Sequence, residues 1–291
     1  MKKRKVRTNG IEIMVHQYSS TGTPILFLHF ISGNAFVWNG VVPAFTSCYQ
    51  AYAIDMRGHG ESDQPDYGYE IEVFAIDLLG VLDALELESV HLVGSSLGCY
   101  VALFFAATFP ERVRSISLSD GAMQNHSGPR GKFATSRDEH IRQLQQPDLL
   151  FPSVSAYVQH EKQRRKAWNS LVEKAVLEGW ASSLRVSEGG FLSPATTNHT
   201  YTQIMTALYD LKLEPLYAKI KCPVLFLPAA KHQFFEWKNQ FIQRIISDLP
   251  FPSRSVILPE TEHIMVFEHA ASLCQVILMF LDQIDVNRLD T

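Results

Sequence analysis

No apolar run in this chain is long enough to span a bilayer. None follows the basic opening Lys2-Lys3-Arg4-Lys5 either, because residues 6–16 are too polar for the core of a secretory signal. The four cations are therefore expected to form a solvated terminus, with no stable membrane association. An excess of positive charge is also missing. Lys and Arg number 26 against 30 Asp and Glu, a formal net charge of -4, which argues against a nucleic-acid partner. Cysteine is scarce: Cys48, Cys99, Cys222 and Cys274 lie far apart, without the paired spacing of a zinc site or redox motif. Free thiols in a reducing cytoplasm are expected, and no metal. Cys99, close to a candidate nucleophile, is expected to be sensitive to bulky thiol reagents.

What is present is a foldable core. Hydrophobic residues make up 46% and charged residues 19%, a balance that can offset the entropy cost of ordering 291 residues. Short apolar runs alternate with helical stretches, the pattern of parallel strands joined by crossover helices. Residues 11–15, 24–29, 50–55, 90–94 and 114–118 read as strands. Helices are expected over residues 71–87 and 97–109, the second halted by Pro110. Gly128-Pro129-Arg130-Gly131 breaks this pattern. Helical, charged sequence follows, with helices expected at 140–146, 155–180 and around 200–211. Strands at 223–227 and 255–258 and a last helix over 270–284 resume the first pattern. The reading is an α/β fold, a mostly parallel central sheet with helices on both faces. Its core comprises residues 1–126 and 216–291, interrupted by a helical cap over 127–215.

Gly94-Ser95-Ser96-Leu97-Gly98 matches G-x-S-x-G between a strand and a helix. A turn that tight needs flanking glycines, and it lifts the central side chain clear of the sheet at the positive end of the helix. Ser96 is the nucleophile this predicts. A serine hydroxyl needs a base to take its proton. Of eleven histidines, His263 is favoured, because it lies in a loop directly after the last candidate strand and before the last helix. His29, His59 and His91 sit where fixing backbone or filling space explains them better.

At these residues the chain resembles the α/β-hydrolase superfamily over most of its length, apart from the region read as a cap. Asp55-Met56-Arg57-Gly58-His59-Gly60-Glu61-Ser62 is similar to that family's D-x-R-G-x-G-x-S loop, and His29-Phe30-Ile31-Ser32-Gly33 to its oxyanion loop. The resemblance implies an oxyanion hole built from the backbone amides of Ile31 and Leu97. It implies no cofactor.

Two positions depart from the family pattern. Phe30 stands where the family usually has glycine, and its ring must either narrow the substrate pocket or disturb the hole. His232 stands where the acid that orients the base usually follows the strand after the cap. The base needs a carboxylate to hold its tautomer. Asp120 offers one, because it ends the strand that follows the nucleophile helix and so emerges at the same sheet edge as Ser96. Some members of the superfamily place their acid there, and Glu236 and Glu262 are weaker alternatives. A metal held by His232 and His263 has no ligand spacing behind it.

The expected activity is hydrolysis of a small-molecule ester, lactone, thioester or activated amide through an acyl-enzyme on Ser96. Carbon–carbon bond hydrolysis stays open. Phe30, His232 and Trp168 are expected to line the pocket, and Arg164 and Arg165 offer forks for a substrate carboxylate. A monomer or homodimer is expected. The alternative, raised by Phe30 and His232, is a hydrolase-fold protein without hydrolytic turnover: a cofactor-free dioxygenase, a lyase or a ligand-binding receptor.

Overall fold

Strand β3 (Thr23–Leu28) shows how the fold divides its interior. Successive strand residues face opposite sides of a sheet, and here Leu26 and Leu28 enter one apolar cluster while Ile25 and Phe27 enter another. Both faces of the sheet are therefore covered, as parallel sheets require. The computed structural model describes residues 1–128, 135–164, 173, 177, 179–187 and 189–289.

The other strands of the main sheet are β1 (Lys2–Thr8), β2 (Ile11–Gln17), β4 (Tyr49–Asp55), β5 (Val90–Ser95) and β6 (Val113–Ser119). Two more lie beyond the expected cap: β9 (Val224–Leu227) and β10 (Arg254–Ser255). Their order is β1-β2-β4-β3-β5-β6-β9-β10, with the β1–β2 and β2–β4 pairs antiparallel and the remaining pairs parallel. On one face lie α1 (Ile71–Ala84), α2 (Leu97–Thr108) and α7 (Phe235–Asp248). Helices α8 (Met265–Glu268) and α9 (Ala270–Leu289) contribute to the cluster on the other.

Between β6 and β9 the described residues form α3 (Arg137–Leu144), α4 (Val154–Arg164), α5 (Asn198–Asp210) and α6 (Glu214–Tyr217). A two-stranded hairpin joins them, β7 (Arg185–Val186) with β8 (Leu192–Ser193), which the sequence did not announce. Trp168, Arg165 and much of the expected helix over 155–180 lie outside the described residues.

Three expectations need correction. The basic opening is solvated as expected, but it is also edge strand β1, which was not expected, paired with β2 in full register. Its cations stay exposed, which suits an edge because charged side chains discourage further pairing. Residues 255–258 do not form the expected strand: β10 is shorter, and Leu258 adds only a single bridge to Ala229. Helix α7 was not expected, although Lys238, Phe241, Ile242 and Ile245 give it a buried stripe at helical spacing. Among the described residues, no helix is long and apolar enough to cross a membrane.

Candidate active site

Strands β3, β4, β5 and β6 run parallel, so the residues that follow them meet at one edge of the sheet. His29, Ser96 and Asp120 emerge there. Ser96 takes φ 49° and ψ −109°, a left-handed conformation that a non-glycine residue adopts only under constraint from its surroundings. The constraint comes from its neighbours: a Cβ on Gly94 would lie 2.5 Å from the Cys99 nitrogen, and one on Gly98 2.2 Å from the Leu28 carbonyl oxygen. Only glycine at both positions lets the strand turn into α2 so abruptly.

Ser96 Oγ lies 3.0 Å from His263 Nε2, and His263 Nδ1 lies 2.6 Å from Asp120 Oδ2. Ser96, His263 and Asp120 thus stand in one hydrogen-bonded line drawn from three separate loops. Asp120 is 1% exposed, whereas the His263 side chain is 40% exposed and open to the cavity. With a carboxylate at Nδ1, that nitrogen donates, leaving Nε2 to accept from the serine hydroxyl. The other Asp120 oxygen accepts from the Ala229 N–H at 2.8 Å. Burial alone would raise the Asp120 carboxyl, but the hydrogen bond from His263 and the nearby ammonium of Lys238 outweigh it and hold it below the usual carboxylate range.

Lys238 was not singled out in the sequence. Its Nζ lies 2.7 Å from Asp120 Oδ2, and the residue is 6% exposed. Burial draws its ammonium down while the Asp120 charge opposes that. Thr261, fully buried, was missed as well. Its hydroxyl donates to Leu258 O at 2.8 Å and accepts the Ala230 N–H at 3.0 Å, joining the His263 loop to the one after β9.

His232 packs beside the base. Its ring stands edge-on to that of His263, centroids 5.5 Å apart, and its Nδ1 accepts the Phe234 N–H at 3.1 Å. Asp120, His232 and His263 each present a potential ligand atom, all within 4.8 Å of one another. The set reads poorly as a metal site, because Oδ2 of Asp120 is already bonded to Lys238 and His263 and a cation would meet the lysine ammonium. Phe30 turns its ring edge-on to Phe267, centroids 5.7 Å apart, and is 3% exposed.

His29 and His59 are structural, as their positions implied. His29 Nδ1 donates to Phe30 O at 2.7 Å while Nε2 accepts the Met56 N–H at 3.0 Å, which fixes the loop carrying Ile31. Burial pushes His29 down to about 4 and His59 to about 3, so both stay neutral. The Asp55 motif is structural too: its carboxylate accepts the N–H groups of Ala35 and Glu61, and Arg57 pairs with Asp77. Cys99 corrects the expectation of thiol sensitivity. It is fully buried, its Sγ donates to Gly94 O at 3.2 Å, and burial pushes the thiol up.

Two cavities, of about 380 and about 250 Å³, share Ile31, Ser96, Tyr201 and His263 in their walls. The larger is lined further by Phe30, Tyr157, Glu161 and Asn198, the smaller by Leu97, His232, Met205 and Leu208.

The chain matches the family model of the alpha/beta hydrolase fold over residues 23–270, and it belongs to that family. Over 117 residues it is 35% identical to a 2-(acetamidomethylene)succinate hydrolase of Mesorhizobium japonicum, covering 40% of this chain and 42% of that one. Over 277 residues it is 26% identical to a serine hydrolase-like protein of Danio rerio, covering 90% and 82% of the two chains. Alignments with curated relatives at 35 to 38% identity span 31 to 43% of those relatives' own length. The solved structure of an E-2-(acetamidomethylene)succinate hydrolase matches the fold with a TM-score of 0.80 at 24% identity, covering 97% of this chain and 99% of that one.

Proposed function

We propose that this chain is a serine hydrolase acting on a small-molecule carboxylic ester, lactone, thioester or activated amide. The observation that carries the reading is the unbroken line from Ser96 Oγ through His263 to Asp120, at 3.0 and 2.6 Å. Ser96 attacks the substrate carbonyl as His263 Nε2 takes the hydroxyl proton. Asp120 holds the imidazole in the reactive tautomer and stabilises the imidazolium without itself taking the proton. Negative charge develops on the carbonyl oxygen and is met by the backbone N–H groups of Ile31 and Leu97, each worth about 3 kcal/mol of barrier. His263 then protonates the leaving group, and water cleaves the acyl-enzyme by the same steps.

The described residues between β6 and β9 act as a cap, because Tyr201 enters the walls of both cavities beside Ser96 and Tyr157 and Asn198 the wall of the larger. The cavities fall near the size range of small-molecule sites. Relatives named as hydrolases of 2-(acetamidomethylene)succinate and of 2-hydroxymuconate semialdehyde support a small substrate. Four cysteines that enter no disulfide fit the cytoplasm as its compartment. The test is hydrolysis of a short-chain p-nitrophenyl ester series: turnover that disappears in Ser96→Ala supports the reading, and turnover that survives it rejects the reading.

A further inference from the structure

We propose that Lys238 is a positioning residue for the Asp120–His263 pair: the geometry points to a buried cation that shares one carboxylate oxygen with the base and limits how strongly the acid holds the proton on His263. The inference rests on the serine-hydrolase reading and deepens it.

Lys238 Nζ and His263 Nδ1 approach the same atom, Asp120 Oδ2, at 2.7 and 2.6 Å. The carboxylate charge is therefore divided between a permanent cation and an imidazole that becomes cationic only when it takes the Ser96 proton. Lysine in this place is expensive, since the residue is only 6% exposed and its ammonium has lost most of its hydration. A neutral donor would satisfy the oxygen without that cost, so the charge itself is the feature that needs explaining.

The surroundings leave few competitors. From α2, Cys99 and Tyr100 face the pair with a thiol and a phenol that burial keeps protonated. His126, bonded to the Tyr100 hydroxyl at 3.0 Å, His232 and the phenol of Tyr201 complete the titratable lining of the inner cavity beside Asp120, Lys238 and His263. Met205 and Leu208 supply apolar wall from α5. Among the described residues of that lining, Lys238 is the only permanent cation and Asp120 the only carboxylate.

Two cations on one oxygen repel each other. While Lys238 stands at Oδ2, the imidazolium of His263 gains less from Asp120. The arrangement also ties the acid on β6 to α7, directly behind the loop where His232 occupies the acid's usual position.

The experiment is a nuclear magnetic resonance titration of the His263 imidazole in the full chain, assigned with His263→Gln, for wild type, Lys238→Met, Lys238→Gln and Lys238→Arg. Removing the charge is expected to raise the His263 midpoint by about one to two pH units in Met and Gln alike, with Arg close to wild type. Gln keeps a donor at Oδ2 and guards against loss of folding in Met. A midpoint unchanged or lowered in folded Met or Gln would overturn the proposal, since lysine would then be packing alone. The rate of fluorophosphonate labelling at Ser96, measured over the same range, should move its acid limb in step with the midpoint. Absence of labelling at every pH in the wild type would count against the hydrolase reading, while the titration would still decide the role of Lys238.

Discussion

The hydroxyl of Thr261 accepts the Ala230 N–H at 3.0 Å, so the loop that presents His263 is fastened to the loop that follows β9. Lys231 N–H, donating to Thr261 O at 2.9 Å, makes a second fastening in the same place. His263, two residues on, is aimed by contacts that none of the reacting groups makes. Thr261→Val keeps the shape and removes the hydroxyl, taking its partner from the half-buried Ala230 N–H at a cost of about 1 kcal/mol. The expected outcome is a lower melting temperature and at least a tenfold slower reaction at Ser96 with little change in KM. An unchanged kcat would show that the fastening does not position the base.

Acid stability is expected to fall in two stages. His29 and His59 have folded values pushed by burial to about 4 and about 3, below the ordinary 6.5. The unfolded chain therefore binds their protons first. Their contribution is complete above pH 6.5 and is lost as the pH falls towards those folded values. Asp120 behaves likewise lower down, complete above its ordinary 3.8 and lost below it. Denaturant midpoints from pH 7 to pH 4 should fall less steeply in His59→Gln than in wild type. Equal slopes would contradict the assignment.

Thiol chemistry on the native protein should be confined to Cys48, the exposed cysteine. Cys99 has neither access nor thiolate character, so iodoacetamide should leave it intact and activity unchanged until the chain unfolds. Mass analysis after timed alkylation checks this. Modification of Cys99 at the rate of Cys48 would restore the expectation that the structure overturned.

Much of the site was legible because its chemistry is local. G-x-S-x-G places Ser96 by turn geometry alone, Asp120 could be found from its position just beyond a strand, and His263 from its place in the loop before the last helices. Lys238 and Thr261 were not, since what matters about them is a contact across 118 residues in one case and 31 in the other. A lysine inside the apolar stripe of α7 also hides the helix, because a charge at a buried position breaks the expected pattern. Strand β1 was lost for the converse reason: its cations are solvated as read, yet its backbone pairs all the same. The hairpin of β7 and β8 has strands of two residues each, too short for any alternation to show.

The central claim is that Ser96 is an activated nucleophile whose base is held by Asp120. It is tested most directly by the rate of fluorophosphonate labelling, with the adduct located by mass, in wild type, Ser96→Ala and Asp120→Asn. The account predicts a single adduct on Ser96 in the wild type, none there in Ser96→Ala, and labelling slowed by about 10³–10⁴ in Asp120→Asn, where the tautomer of His263 is no longer held. Labelling that proceeds at the wild-type rate in Asp120→Asn, or that falls on another residue, would contradict it.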